Sequence, residues 1–190
     1  MSLTFVEKLL STGARRDPDG LVGQLLKPFS ALIALGIVWV TTVQIVQIYA
    51  MTIVFLGLML SLVFLTTGVT ASSCRTRVPP WDLMLATASI GIAAYFWYHN
   101  ERIVTRITLL DELSIWDVVC GSGLMLAVLE ATRRTVGAGL TSVVLLFLAY
   151  NLWGDAMPGV LGHGVIDYQH FLDVLAFTTD GIFGAPIRVA

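Results

Sequence analysis

The chain has 190 residues, with 11 Lys and Arg against 13 Asp and Glu, 56% hydrophobic residues and 13% charged ones, about half the charged share of a water-soluble domain. The formal net charge of −2 argues against a nucleic-acid partner. Strict apolar–polar alternation over ten-residue blocks is absent, which argues against a membrane barrel; a mean hydropathy of +0.83 points to helices in lipid.

Residues 1–27 are polar and mixed, carrying Glu7, Lys8, Arg15, Arg16, Asp17, Asp19 and Lys27. Leu3, Phe5, Val6, Leu9 and Leu10 recur near helical spacing, which fits either a short amphipathic helix on the membrane surface or a frayed tail. From Pro28 to Ser73 no charged residue occurs. That is about twice the roughly 20 apolar residues one crossing needs, so the run is read as two helices, at about 28–47 and 49–70, with a turn near Gln44, Gln47 and Tyr49. A loop with Arg75, Arg77, Pro79 and Pro80 follows. The third helix is expected over about 81–98, with Asp82 as a candidate N-cap and an aromatic belt of Tyr95, Phe96, Trp97 and Tyr98 at its end.

Residues 99–114 form a polar connector whose middle, IVTRITLL, can lie on the bilayer surface. A fourth helix is expected over about 115–131 and a fifth over about 136–153. Asp155, Pro158 and Gly159 break the chain, Tyr168–Phe177 reads as an amphipathic helix, and the tail TTDGIFGAPIRVA turns at glycines and a proline. The fold class is therefore all-α, a polytopic transmembrane bundle of about five membrane helices plus amphipathic segments.

With the N-terminus inside, eight cations (Lys8, Arg15, Arg16, Lys27, Arg75, Arg77, Arg133, Arg134) fall on the inner side and two (Arg102, Arg106) on the outer, a positive-inside bias. Small residues mark where helices can approach closely: Thr87 with Gly91 and Ser89 with Ala93 on the third helix, Gly121 and Gly123 in the fourth, Gly137 and Gly139 opening the fifth.

Charge is scarce, so each near-membrane charge matters. Glu130, Arg133 and Arg134 share a helix face and can pair; the alternatives are a structural ion-paired helix end, which the spacing favours, and a functional cluster, either a charged patch at a moving interface or a proton carrier. Asp117 reads as an acid favoured by a helix N-terminus. His163 and His170 have no accompanying ligand set, so no metal is expected, and Cys74 and Cys120 read as free thiols. No nucleophile–base pair or phosphate loop is present, so an enzyme is not expected.

The second half resembles a known family. LEATRRTVG at 129–137, an apolar helix ending at Tyr150, Gly154, Pro158 with Gly159, and TTDGIFGAP at 178–186 stand in the order and spacing of the fused permeases of TRAP transporters, in the branch served by TAXI-type binding proteins. The resemblance is specific over about 124–187 and weak before 75. It implies a small-subunit-like portion over 28–112, after the 1–27 segment, and the opening of the large subunit over 113–190. The motif residues at the C-terminal end are Thr178, Thr179, Asp180, Gly181, Gly184 and Pro186. Asp180 stands where the family has Glu, and PIRVA where it has PLGVS.

The resemblance implies a membrane scaffold component of a binding-protein-dependent secondary transporter for small organic anions. A sodium or proton gradient would drive it, with no other cofactor. Its partners would be lipid, the remainder of the large subunit and an extracytoplasmic substrate-binding protein, in a bacterial or archaeal inner membrane. The alternative is a standalone accessory membrane protein that stabilises a partner permease without transporting.

Overall fold

The computed structural model describes residues 12–18, 20–43 and 48–184. Seven α-helices run through it: α1 (Gly20–Val43), α2 (Ile48–Thr66), α3 (Pro80–Tyr98), α4 (Asn100–Thr105), α5 (Ile115–Thr135), α6 (Ala138–Trp153) and α7 (Tyr168–Phe177), with two 3₁₀ turns between α6 and α7. The fold is an all-α bundle. Three helical stretches are long and apolar enough to cross a membrane, Tyr49–Thr66, Ile115–Thr135 and Ala138–Ala156. Among the described residues, three of the expected five meet this measure of length and apolarity. The apolar run on α1 is the shorter Gly23–Trp39, and α3 dilutes its apolar residues with Pro80, Asp82, Thr87 and Ser89.

Helix limits differ from the hydropathy pattern for local reasons. Pro28 lies inside α1 rather than opening it, because helix geometry starts after Gly20, which holds φ +74°. α2 stops at Thr66 because Thr67 and Gly68 turn to meet the N-terminal segment, Arg15 pairing with Thr67 in an isolated antiparallel bridge. α5 runs to Thr135 and ends before Gly137, whose φ of +102° suits a residue without Cβ. Leu3, Phe5, Val6, Leu9 and Leu10, on which the choice between amphipathic helix and frayed tail turns, lie outside the described residues, as do Gln44 and Gln47 of the expected turn; Tyr49 lies in the first turn of α2.

α2 and α3 form the central pair. A Cβ on Gly57 would come 2.3 Å from Ala93 Cβ, so the two backbones meet where only glycine fits. The contact uses Ser89 and Ala93. The Thr87–Gly91 pair faces away, and a side chain at Gly91 or Gly139 would meet open space. α5 crosses the pair, with Gly123 against Ile92 and Gly121 against Leu172 and Phe177.

α7 is amphipathic: Phe171, Leu172, Ala176 and Phe177 are buried while Gln169 and His170 are exposed. Phe183, just beyond it, packs on Tyr49 and Phe96 with ring centres 5.2 and 5.8 Å away. One core thus runs from α2 through α3 and α5 to the chain after α7.

Candidate functional site

The densest chemistry gathers where α2 and α5 end and α3 begins. Residues 12–18 lie along the 66–75 loop, held by backbone bonds from Arg16 N–H to Thr66 O (2.7 Å), Gly68 N–H to Ala14 O (2.8 Å), Asp17 N–H to Arg75 O (3.0 Å) and Gly13 N–H to Arg134 O (2.8 Å). Gly13 is required there, since a Cβ would sit 2.0 Å from Gly68 O. This path brings Arg16 to Asp82.

Asp82 is completely buried. Its Oδ2 lies 2.5 Å from Arg16 Nη1 and its Oδ1 2.7 Å from Arg134 Nη1. The expected N-cap role is therefore corrected: Pro79 holds that position without a side-chain cap. Asp82 sits within the first turn because two arginines claim it.

Arg134 Nε donates to Glu130 Oε1 at 2.6 Å, and Arg133 clasps the same carboxylate with Nε and Nη2, each at 2.8 Å. Backbone carbonyls accept further guanidinium N–H groups: Arg133 Nη1 donates to Val69 O, Arg16 Nε to Cys74 O, and Arg134 Nη1, already on Asp82, also to Thr67 O. Arg134 also stacks on Phe64, 5.1 Å from the ring centre. Five charged residues thus form one chain, Arg16–Asp82–Arg134–Glu130–Arg133. It joins the segment before α1 to α3 and α5.

Arg16 and Asp82 are the members that the local sequence pattern did not join to this cluster, Asp82 reading as an N-cap and Arg16 as one of the inner-side cations. One signal for them was available. Glu130 is the lone acid beside two adjacent arginines, so a buried Arg134 needs a second acid, and α3 begins at the bundle end where α5 finishes.

The opposite end has a second set. Asp117 is fully buried and closes a capping box with Ser114, in agreement with its reading as a helix-start acid. Its Oδ1 also accepts from Tyr95 Oη at 2.8 Å and Arg102 Nη2 at 2.6 Å, and this contact holds the Arg102 guanidinium charged, above its ordinary range. Arg106 Nη2 lies 2.5 Å from Asp173 Oδ2, off the hydrogen-bonding line, and its Nε and Nη1 find no acceptor among the described residues. Asp173 accepts from Leu109 N–H at 2.9 Å, holding a leucine at φ +70°.

The C-terminal motif residues act as a chain reversal. Thr178 Oγ1 donates to Val174 O and accepts from Asp180 N–H. Ile182 N–H returns to Leu175 O at 2.8 Å, and Gly184 N–H to Gly181 O at 3.0 Å. A Cβ on Gly181 would stand 2.1 Å from Leu175 O and one on Gly184 2.6 Å from Thr179 O. Thr179 and Asp180 are exposed, and Pro186 lies outside the described residues.

His163 places both ring nitrogens within hydrogen-bonding distance of backbone carbonyls, Gly164 O at 2.7 Å and Tyr150 O at 3.0 Å. Among the described residues no group of three or more His, Cys, Asp or Glu could hold a metal ion. Cys74 is exposed, and its thiol is pushed down to about 7 by the Thr76 hydroxyl and the backbone N–H groups of Thr76 and Arg77.

No family model, curated protein or solved structure matches the chain.

Proposed function

We propose that this multi-pass membrane protein is a scaffold component of a TRAP-type secondary transporter for small organic anions, without catalysis of its own. The observation that carries the reading is the Arg16–Asp82–Arg134–Glu130–Arg133 chain. Its carboxylates are met by arginines of the same chain, which suits a brace rather than a site that takes up and releases an ion. Glu130 and its arginines are accordingly structural in this reading. Support also comes from α6, which leaves Leu140, Val143, Leu145, Leu146 and Phe147 exposed; the remainder of a large subunit, or lipid, would cover that face. The mobile, ion-holding parts of such transporters are built from interrupted helices, whereas α2, α3, α5 and α6 here are continuous.

Reconstitution in liposomes with a sodium or proton gradient and labelled organic acids tests this. The chain alone gives no gradient-dependent uptake. Co-expression with a large-subunit remainder and a binding protein gives uptake that depends on this chain. Uptake by the chain alone overturns the scaffold reading, and stabilisation of the partner without any dependence of uptake favours the accessory alternative.

The N-terminus is cytoplasmic in this reading. Cys74, with its lowered pKa, reports the side directly: a membrane-impermeant maleimide labels it in inside-out vesicles and spares it in intact cells. Labelling in intact cells reverses the orientation.

A further inference from the structure

Between α1 and α2 the bundle is open along much of its length, and the opening changes character from one end to the other. Near the buried charge chain it is a cleft of about 640 Å³ whose lining, among the described residues, sets Arg15, Arg16, Lys27 and Arg134 against a single carboxylate, Asp17. Arg16 and Arg134 are committed to Asp82. Arg15 and Lys27 are exposed and form no ion pair among the described residues. Lys27 is the last cation before the charge-free run from Pro28, so its ammonium stands at the hydrocarbon boundary.

The same seam continues as an apolar groove of about 370 Å³, walled by Leu32, Ile33 and Gly36 of α1, Val54 and Phe55 of α2, and Trp97 of α3. Gly36 leaves it unfilled, since a Cβ there would touch nothing. From Lys27 to Ile37 a helix rises about 15 Å, enough for most of a fatty-acyl chain.

We propose that this seam binds an anionic phospholipid of the bilayer, its phosphate between Arg15 and Lys27 and one acyl chain in the groove at Gly36. The charge surplus at the head of the seam and the apolar channel below it match the two halves of one such molecule. Basic pockets at helix ends are suited to acidic headgroups, and the acyl chain adds apolar burial. Phosphate chemistry alone would also admit free inorganic phosphate, and the groove is what favours the lipid.

The test is thermal unfolding of the purified 190-residue chain in detergent, titrated with phosphatidylglycerol, phosphatidylcholine or inorganic phosphate. Phosphatidylglycerol should stabilise most, phosphatidylcholine less and phosphate not at all. Arg15→Gln with Lys27→Gln should weaken the phosphatidylglycerol half-effect by about 30-fold, bringing it to that of phosphatidylcholine. Gly36→Leu, which leaves the charges alone, should abolish stabilisation by both lipids. Arg75→Gln with Arg77→Gln removes equal charge from the exposed loop at the same end and should change little. Equal effects of the two lipids on the parent chain, equal losses in the two charge variants, or full stabilisation of Gly36→Leu would each overturn the proposal. An effect of phosphate matching phosphatidylglycerol would make the cleft a free-anion site instead.

Discussion

The two ends of the bundle handle buried charge in opposite ways. At the Asp82 end arginines outnumber acids, each carboxylate serves two guanidiniums, and carbonyls of the 67–74 loop accept further guanidinium N–H groups. At the Asp173 end one acid faces one arginine, and that arginine, with its side chain only 7% exposed, leans on the Phe177 ring at 5.6 Å with none of its three guanidinium nitrogens in an aligned hydrogen bond among the described residues. A charge out of water is stable only when its remaining donors are also met. The first end meets this condition by recruiting irregular backbone, which a rigid helix cannot offer once its own hydrogen bonds are made. At the second, the irregular 106–114 connector gives Asp173 a backbone N–H from Leu109, while Arg106 finds no aligned acceptor among the described residues.

Removing Asp82 should therefore do the most damage. Asp82→Asn leaves Arg16 and Arg134 buried with their shared charge gone, at a cost of about 3–5 kcal/mol. The expected result is loss of the folded, monodisperse chain on size-exclusion chromatography at temperatures the parent survives. A variant with the parent's melting temperature would show that loop carbonyls suffice for both arginines.

Paired replacement separates the two ends. Arg106→Met with Asp173→Asn removes both partners of an isolated, poorly aligned pair, and should change stability by less than about 1 kcal/mol, or improve it. Arg134→Met with Asp82→Asn should not be rescued in the same way, because Arg16 and Glu130 each lose a partner. Equal outcomes in thermal melts would remove the contrast between a chain of charges and a lone pair.

Glu130→Gln should sit below both single-end extremes. Glu130 keeps 29% of its side chain exposed, so water can screen what it loses, and about 1 kcal/mol is expected. In an assembled transporter it should lower the amount of protein more than it alters the pH dependence of uptake. Normal amounts with uptake uncoupled from the gradient would make Glu130 a carrier.

The smallest effect concerns pH. Bonds to the Gly164 and Tyr150 carbonyls raise His163 above its ordinary value of 6.5. A folded-state pKa above the unfolded one gives a contribution that is complete below about 6.5 and fades as pH rises through the raised value. The neutral ring can donate to only one of the two carbonyls. Hydrogen exchange over residues 154–164 should accordingly quicken as pH rises through the raised value, after correction for intrinsic rates, and His163→Gln should remove the step. Gly154 bounds the same contact, since a Cβ there would reach 2.2 Å from His163 Nε2.

Much of the architecture is legible in the sequence because lipid makes hydropathy a direct reading of environment. α2, α5 and α6 stand out for that reason, and the amphipathic pattern of α7 gives its ends as Tyr168 and Phe177. Helix limits were harder, since Gly20, Thr67 and Gly137 depend on backbone turns that hydropathy does not encode. Small-residue spacing was ambiguous: Ser89 with Ala93 and Thr87 with Gly91 look alike, and only the position of Gly57 on another helix selects the first. Within the charge chain, the links from Glu130 to Arg133 and Arg134 follow from i,i+3 and i,i+4 spacing. The links from Asp82 run 66 and 52 residues away, where no local periodicity reaches.

Those separations also impose an order in time. A chain made from its N-terminus presents Arg16 first, Asp82 next and Arg134 last. Asp82 can therefore settle against Arg16 while α5 is still absent, holding a half-neutralised pair ready at the membrane boundary. When α5 arrives, its depth is set by that waiting carboxylate. Sliding the helix by one residue moves it about 1.5 Å along its axis and turns it by about 100°, enough to swing Arg134 out of reach. The buried acid near the start of α3 thus works as a depth stop for a helix made fifty residues later, and an α5 inserted out of register would reveal itself by leaving Asp82 with a single partner.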